Sequence, residues 1–95
     1  MDSEKLLEKT LQTKVQILGG WALKFHCISV SGFPDRVVLM PFAKIYFIEL
    51  KSEGKTLGKL QRIWQNRLRL LGFYCERVDT KEKLSAFLTL IESPC

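Results

Sequence analysis

Ninety-five residues are enough for one hydrophobic core and too few for two, and 46% hydrophobic with 26% charged residues is the balance of a folded globular domain. The formal net charge of +5 favours an anionic partner, nucleic acid or a membrane surface. Uncharged stretches are short and interrupted, and the charged start MDSEKLLEKT has no apolar signal region. A membrane span is thereby excluded, and a cytoplasmic protein is the expectation.

Cys27, Cys75 and Cys95 are an odd number without C-x-x-C spacing, which argues for reduced thiols. A single histidine, His26, excludes a zinc site built on several His and Cys ligands. Its apolar setting, LKFHCISV, makes it a strand residue before a ligand.

In chain order, Ser3 is a candidate N-cap for a helix whose inner stripe is Leu7, Leu11, Val15 and Leu18, stopped by Gly19-Gly20. Residues 21–30 read as a strand, and Ser31-Gly32-Phe33-Pro34 as a turn. A short strand over 35–40 and a longer one over 45–51 are joined through Pro41 to Lys44. A polar turn at 52–56 leads to a helix over 57–71 with Leu57, Leu60, Trp64, Leu68 and Leu71 on one stripe. FYCERV is a fourth strand, and Thr80 or Asp79 caps a last helix with the stripe Leu84, Phe87, Leu88 and Ile91. The order α-β-β-β-α-β-α, with an antiparallel hairpin and then a right-handed parallel crossover, predicts an α/β domain spanning 1–95 with a mixed four-stranded sheet flanked by helices.

The chemistry gathers at the end of YFIELK. Strand alternation puts Glu49 and Lys51 on one face, about 7 Å apart at Cα. Asp35 starts the preceding strand, and a hairpin between the two places it beside Glu49, both about six positions from the turn. Two carboxylates meeting at a strand end repel unless one is protonated or a cation lies between them. Their oxygens, with a backbone carbonyl such as that of Leu50, suit Mg²⁺ or Mn²⁺, and an amine at Lys51 completes a site able to hydrolyse a phosphodiester.

The [DE]-x-K pattern alone says little. It recurs at Glu53-Gly54-Lys55 in a polar turn and Asp79-Thr80-Lys81 at a helix cap, where a solvated reading fits better. A surface ion-pair cluster is the alternative for the Asp35, Glu49 and Lys51 trio as well. Two further polar residues favour a site. Glu8 lies on the inner stripe of the first helix, where an unpaired carboxylate is costly, and Gln61 lies at the inner start of the second.

Together these residues resemble the VRR-NUC family, the virus-type replication-repair nucleases of the PD-(D/E)xK superfamily, over about residues 4–88. The matching features are Glu4 and Glu8, Gly19-Gly20, Lys24, Gly32-Phe33-Pro34-Asp35-Arg36, Phe47-Ile48-Glu49-Leu50-Lys51, Leu60-Gln61 and Leu71-Gly72-Phe73. The resemblance implies a restriction-endonuclease-like core and a Mg²⁺- or Mn²⁺-dependent DNA endonuclease. Asp35, Glu49 and the Leu50 carbonyl would be metal ligands, Lys51 the catalytic lysine, Glu8 an additional acid near the metal, and Gln61 a glutamine supporting the site. Short family members resemble phage-encoded dimers acting on four-way junctions, so a homodimer on branched DNA in a phage or bacterial host is the expectation. Where many members carry a serine three residues before the glutamine, this chain has Gly58, which puts in doubt a hydrogen bond near the helix start.

Lys24 and Arg36, with Lys59, Arg62 and Arg69 on the second helix, are candidate nucleic-acid contacts. A solvated basic face is the competing reading of the helical set, which Asn66 shares. Trp21, Phe42 and Phe73, near element ends, are candidates for exposed apolar surface at a dimer interface. Competing functions are a DNA-binding module that keeps the fold without catalysis, and a nuclease for flap or duplex DNA. A membrane-surface protein is set aside because the apolar stripes are taken up by the core.

Overall fold

The computed structural model describes residues 3–92; Cys95 lies outside them. Helix α1 runs Ser3–Ile17, and Leu7, Leu11 and Val15, one turn apart, are its buried stripe. It closes on a Schellman motif: Gly19, at φ 91°, donates its N–H to Gln16, and Gly20 donates to the Val15 carbonyl. Gly20 has a second constraint. A Cβ there would lie 2.4 Å from both the Leu39 carbonyl oxygen and Met40 Sδ. Gly20→Ala is therefore expected to destabilise the fold by about 2 kcal/mol, read as a drop of about 10 °C in a thermal melt.

The strands are β1 (Trp21–Lys24), β2 (Arg36–Met40), β3 (Lys44–Leu50) and β4 (Tyr74–Val78), with α2 (Lys59–Leu70) before β4 and α3 (Lys81–Glu92) after it. They form one sheet in the order β1-β2-β3-β4; the first two pairings are antiparallel and the last, across α2, is parallel. The mixed α/β sheet expected from the element order is what forms.

Two elements differ from the sequence reading. The first strand stops at Lys24 instead of reaching residue 30. Its partner strand begins at Arg36, behind Pro34, which has no N–H to offer a ladder. Phe25 makes one more backbone bond, donating to the Asp35 carbonyl at 2.7 Å, and the chain then leaves the sheet. His26 thus lies in a loop and is exposed. The stripe expected on α2 is also only partly buried: Leu68 is inside, whereas Leu60 and Leu71 are exposed. The reason is coverage, because α2 packs chiefly on β4 and leaves the β1–β2 side of that sheet face open.

The core lies on the other face. Val38, Ile48, Leu50 and Val78 meet Leu7, Leu11 and Val15 of α1 and Leu84, Phe87 and Ile91 of α3. Thr80 caps α3, its hydroxyl accepting the Lys83 N–H at 3.1 Å. Asp79 instead pairs with Lys83 and Arg77. Cys27 and Cys75 are free thiols. Among the described residues no helix is long and apolar enough to cross a membrane.

Candidate active site at the end of strand β3

Arg36 is opposite Ile48, so one further step of the register brings Asp35 opposite Glu49. The two then share the sheet face that α2 partly covers, since opposed residues of an antiparallel pair point the same way. Asp35 Oδ1 accepts the Leu50 N–H at 3.2 Å, which ties the start of β2 to the end of β3. Lys51 follows directly, with Nζ 3.9 Å from Glu49 Oε2.

Gln61 reaches the same carboxylate from α2, where Nε2 donates to Glu49 Oε2 at 3.2 Å. Its Oε1 accepts the Gly58 N–H at 2.8 Å. That second bond fixes the amide's orientation, because a backbone N–H needs an acceptor and the NH₂ is left to face Glu49. Gly58 has no side chain with which to cap α2, so Gln61 satisfies one of the helix's first donors while it holds Glu49.

Glu8 is on the opposite side of the sheet, on α1. What connects it to Asp35 is Arg36, which is only 3% exposed. Its Nη2 pairs with Glu8 Oε2, and its Nη1 donates to the Asp35 carbonyl and to Asp35 Oδ2, each at 3.0 Å. The proposed contact of Arg36 with nucleic acid is thereby corrected. It points into the fold, since Arg36 shares the inward parity of Val38 and Met40, and its guanidinium faces two carboxylates. The sequence signal was available: an arginine at an inward position of a buried strand needs an acid, and Glu8 is an acid on the inner stripe of a helix.

Burial is the largest influence on both site carboxylates. It raises Asp35 above its ordinary value, opposed first by the Arg36 guanidinium. Glu49 is pushed up to about 7 by burial and then by the negative charge of Asp35, with Lys51 only partly offsetting them. The pair is thus short of positive charge, the condition in which a bound cation is favoured. Among the described residues no three His, Cys, Asp or Glu side chains are grouped to hold a metal. Two carboxylates and a backbone carbonyl, with water for the rest, form a hard oxygen donor set that fits Mg²⁺ or Mn²⁺ and not zinc.

The remaining basic candidates are dispersed. Lys24, Lys59 and Arg62 are exposed. Arg69 donates to the Cys75 carbonyl at 2.9 Å and to Glu76 at 2.7 Å, so α2 is fastened to β4 through it. Arg62 and Arg69 line one shallow groove with Arg77 and Lys83, and Arg67 lies 4.9 Å over the Trp64 ring.

No family model matches the chain. A curated relative, "Putative nuclease p44" of Acyrthosiphon pisum secondary endosymbiont phage 1, is 35% identical over 88 residues, which is 93% of this chain and 94% of that protein. Among solved structures, a VRR_NUC domain superposes with a TM-score of 0.86 at 24% identity, covering 94% of this chain and 97% of that one. Both the superposition and the alignment with the phage relative cover nearly the whole chain. The chain belongs to the same family as that phage protein, and its fold is that of a VRR_NUC domain.

Proposed function

We propose that the chain is a nuclease, and more narrowly a Mg²⁺- or Mn²⁺-dependent endonuclease that hydrolyses phosphodiester bonds in branched DNA such as four-way junctions, working as a homodimer in the cytoplasm of a phage-infected or bacterial cell. The observation that carries this reading is the convergence of Asp35, half-buried, and Glu49, buried, with Lys51 and Gln61 on the Glu49 carboxylate. The names of the solved domain and of the phage relative support nuclease chemistry.

Asp35, Glu49 and the Leu50 carbonyl would hold the metal, whose chemistry is to lower the pKa of bound water and to offset charge on the phosphate. Lys51 donates to the attacking water or to the phosphorane oxygens, where its positive charge counts most as negative charge develops. Gln61 orients Glu49 by donating to it. Arg36 and the Leu50 N–H hold the two oxygens of Asp35 in place.

The homodimer reading is supported by an open apolar row. Trp21 is opposite Leu39 and Leu39 opposite Ile45, so the three are contiguous on the sheet face that α2 leaves uncovered, and all three are exposed. Trp21 is 62% exposed. A second copy is the simplest cover, and a two-fold pair supplies the two incisions that a four-way junction requires. The test is cleavage of four-way junction, flap and plain duplex side by side with Mg²⁺, together with sedimentation equilibrium at micromolar protein. A dimer that cuts the junction fastest is the expected result. A monomer that cuts duplex as fast as junction would contradict the branched-DNA and dimer readings and leave the hydrolytic one.

A further inference from the structure

We propose that the loop between β1 and β2, residues 25–34, forms a subsite for an unpaired nucleobase next to the scissile phosphate, with Phe25 as its stacking platform. This rests on the DNA-cleaving reading above and deepens it: the subsite selects a base that is already out of the duplex.

A cavity of about 350 Å³ lies within this loop, lined by Phe25, His26, Ile28 and Phe33 and bounded by Asp35. It has the size of a small-ligand site. The side chain with the geometry to fill such a role is that of Phe25, a residue 41% exposed. Beneath it runs a ladder of aromatic rings. Phe25 packs on Phe33 at 5.5 Å between centroids, and Phe33 packs on both Trp64 and Phe47 at the same distance. The platform is thus anchored in α2 and β3, the elements that carry Gln61 and Glu49.

The platform is also fixed relative to the carboxylates. The 2.7 Å bond from the Phe25 N–H ends on the carbonyl of Asp35 itself. At the other end of the loop, Gly32 is in the left-handed region at φ 87°, and a Cβ there would come within 2.8 Å of Leu60. The loop therefore lies directly against α2, and its shape precedes any ligand.

One more feature fits a nucleobase. Ile28 is 93% exposed on the loop, an apolar side chain placed to lie against a base plane. An aromatic face is the usual way to hold an unstacked base without reading its identity. Inside a duplex every base is stacked on its neighbours and unavailable to Phe25. At a branch point, gap or flap it is accessible.

The test is a cycle between protein and DNA, read as binding in EDTA so that nothing is cut. The probes are a four-way junction and the same junction with an abasic residue beside the branch point. Wild-type protein is expected to bind the abasic junction about tenfold more weakly, within the range for loss of one base–aromatic stack. Phe25→Leu, which keeps the apolar bulk, should bind the intact junction about tenfold more weakly and lose nothing further on the abasic one. Phe25→Tyr, which keeps a ring, should behave as wild type. Equal losses on the abasic junction for wild type and Phe25→Leu, or no loss for wild type, would overturn the subsite. If wild type binds with this pattern but cleaves nothing with Mg²⁺, the subsite stands and the nuclease reading falls. If it binds no junction at all, the subsite and the branched-DNA reading fall, and cleavage of flap and plain duplex decides the hydrolytic one.

Discussion

Glu49→Gln is expected to abolish cleavage, by about a thousandfold or more, while making the metal-free protein more stable at neutral pH. The first effect follows from losing a ligand charge for a metal whose transition-state contribution is several kcal/mol. The second follows from the site's electrostatics. Burial and the Asp35 charge raise Glu49 from an ordinary 4.5 to about 7, so the folded chain holds this proton more tightly than the unfolded one. Its penalty is absent below about pH 4.5, grows between there and pH 7, and is complete above, at roughly 3 kcal/mol. Glutamine is neutral throughout. Melts in EDTA at pH 8 should thus show the variant higher by up to about 10 °C, with the gap closing toward pH 4.5. Equal melting temperatures at pH 8 would mean that neither burial nor the Asp35 charge penalises an ionised Glu49 in the folded protein. Lys51→Met separates the roles: cleavage is lost while Mn²⁺ binding, followed by calorimetry, persists.

Arg36→Met carries the largest expected loss of stability, about 3 kcal/mol or more than 10 °C in a melt. The substitution leaves Glu8 and Asp35 without the guanidinium that both face. Glu8→Met with Arg36→Met removes both partners of one pair and should restore most of the melting temperature, as apolar replacements of buried ion pairs do. Cleavage should stay low in the double variant, because Asp35 Oδ2 still lacks its donor. If Arg36 acted on DNA, the single variant would instead weaken binding at an unchanged melting temperature.

Much of the site was legible because strand geometry is simple arithmetic. The hairpin puts Asp35 beside Glu49 once both are counted from the turn, and the observed register does so. The stripe of α1 was legible for the same reason: Leu7, Leu11 and Val15 repeat at the helix period. What was not legible depends on distant contacts. The first strand ends at Lys24 because its partner begins behind Pro34 and because the Phe25 ring turns to Phe33, neither of which is a property of residues 25–30. The apolar stripe of α2 was right in period and wrong in burial, because helix spacing does not say how much sheet the helix covers. The tip of the β2–β3 hairpin was opaque too. Phe42 and Ala43 occupy left-handed backbone at φ 66° and 60°, a conformation that local preference assigns to glycine or asparagine. Phe42 is 94% exposed there, and nothing within the described chain explains the choice.

In the function proposed above, Asp35, Glu49 and Lys51 form a metal-dependent phosphodiester-cleaving site. The most direct test is single-turnover cleavage of an end-labelled four-way junction by wild type and by the Asp35→Asn, Glu49→Gln double variant, each with Mg²⁺ and with EDTA. Cleavage by wild type with Mg²⁺, and in no other lane, is the predicted result. Cleavage that persists in EDTA, or equally in the double variant, would contradict it.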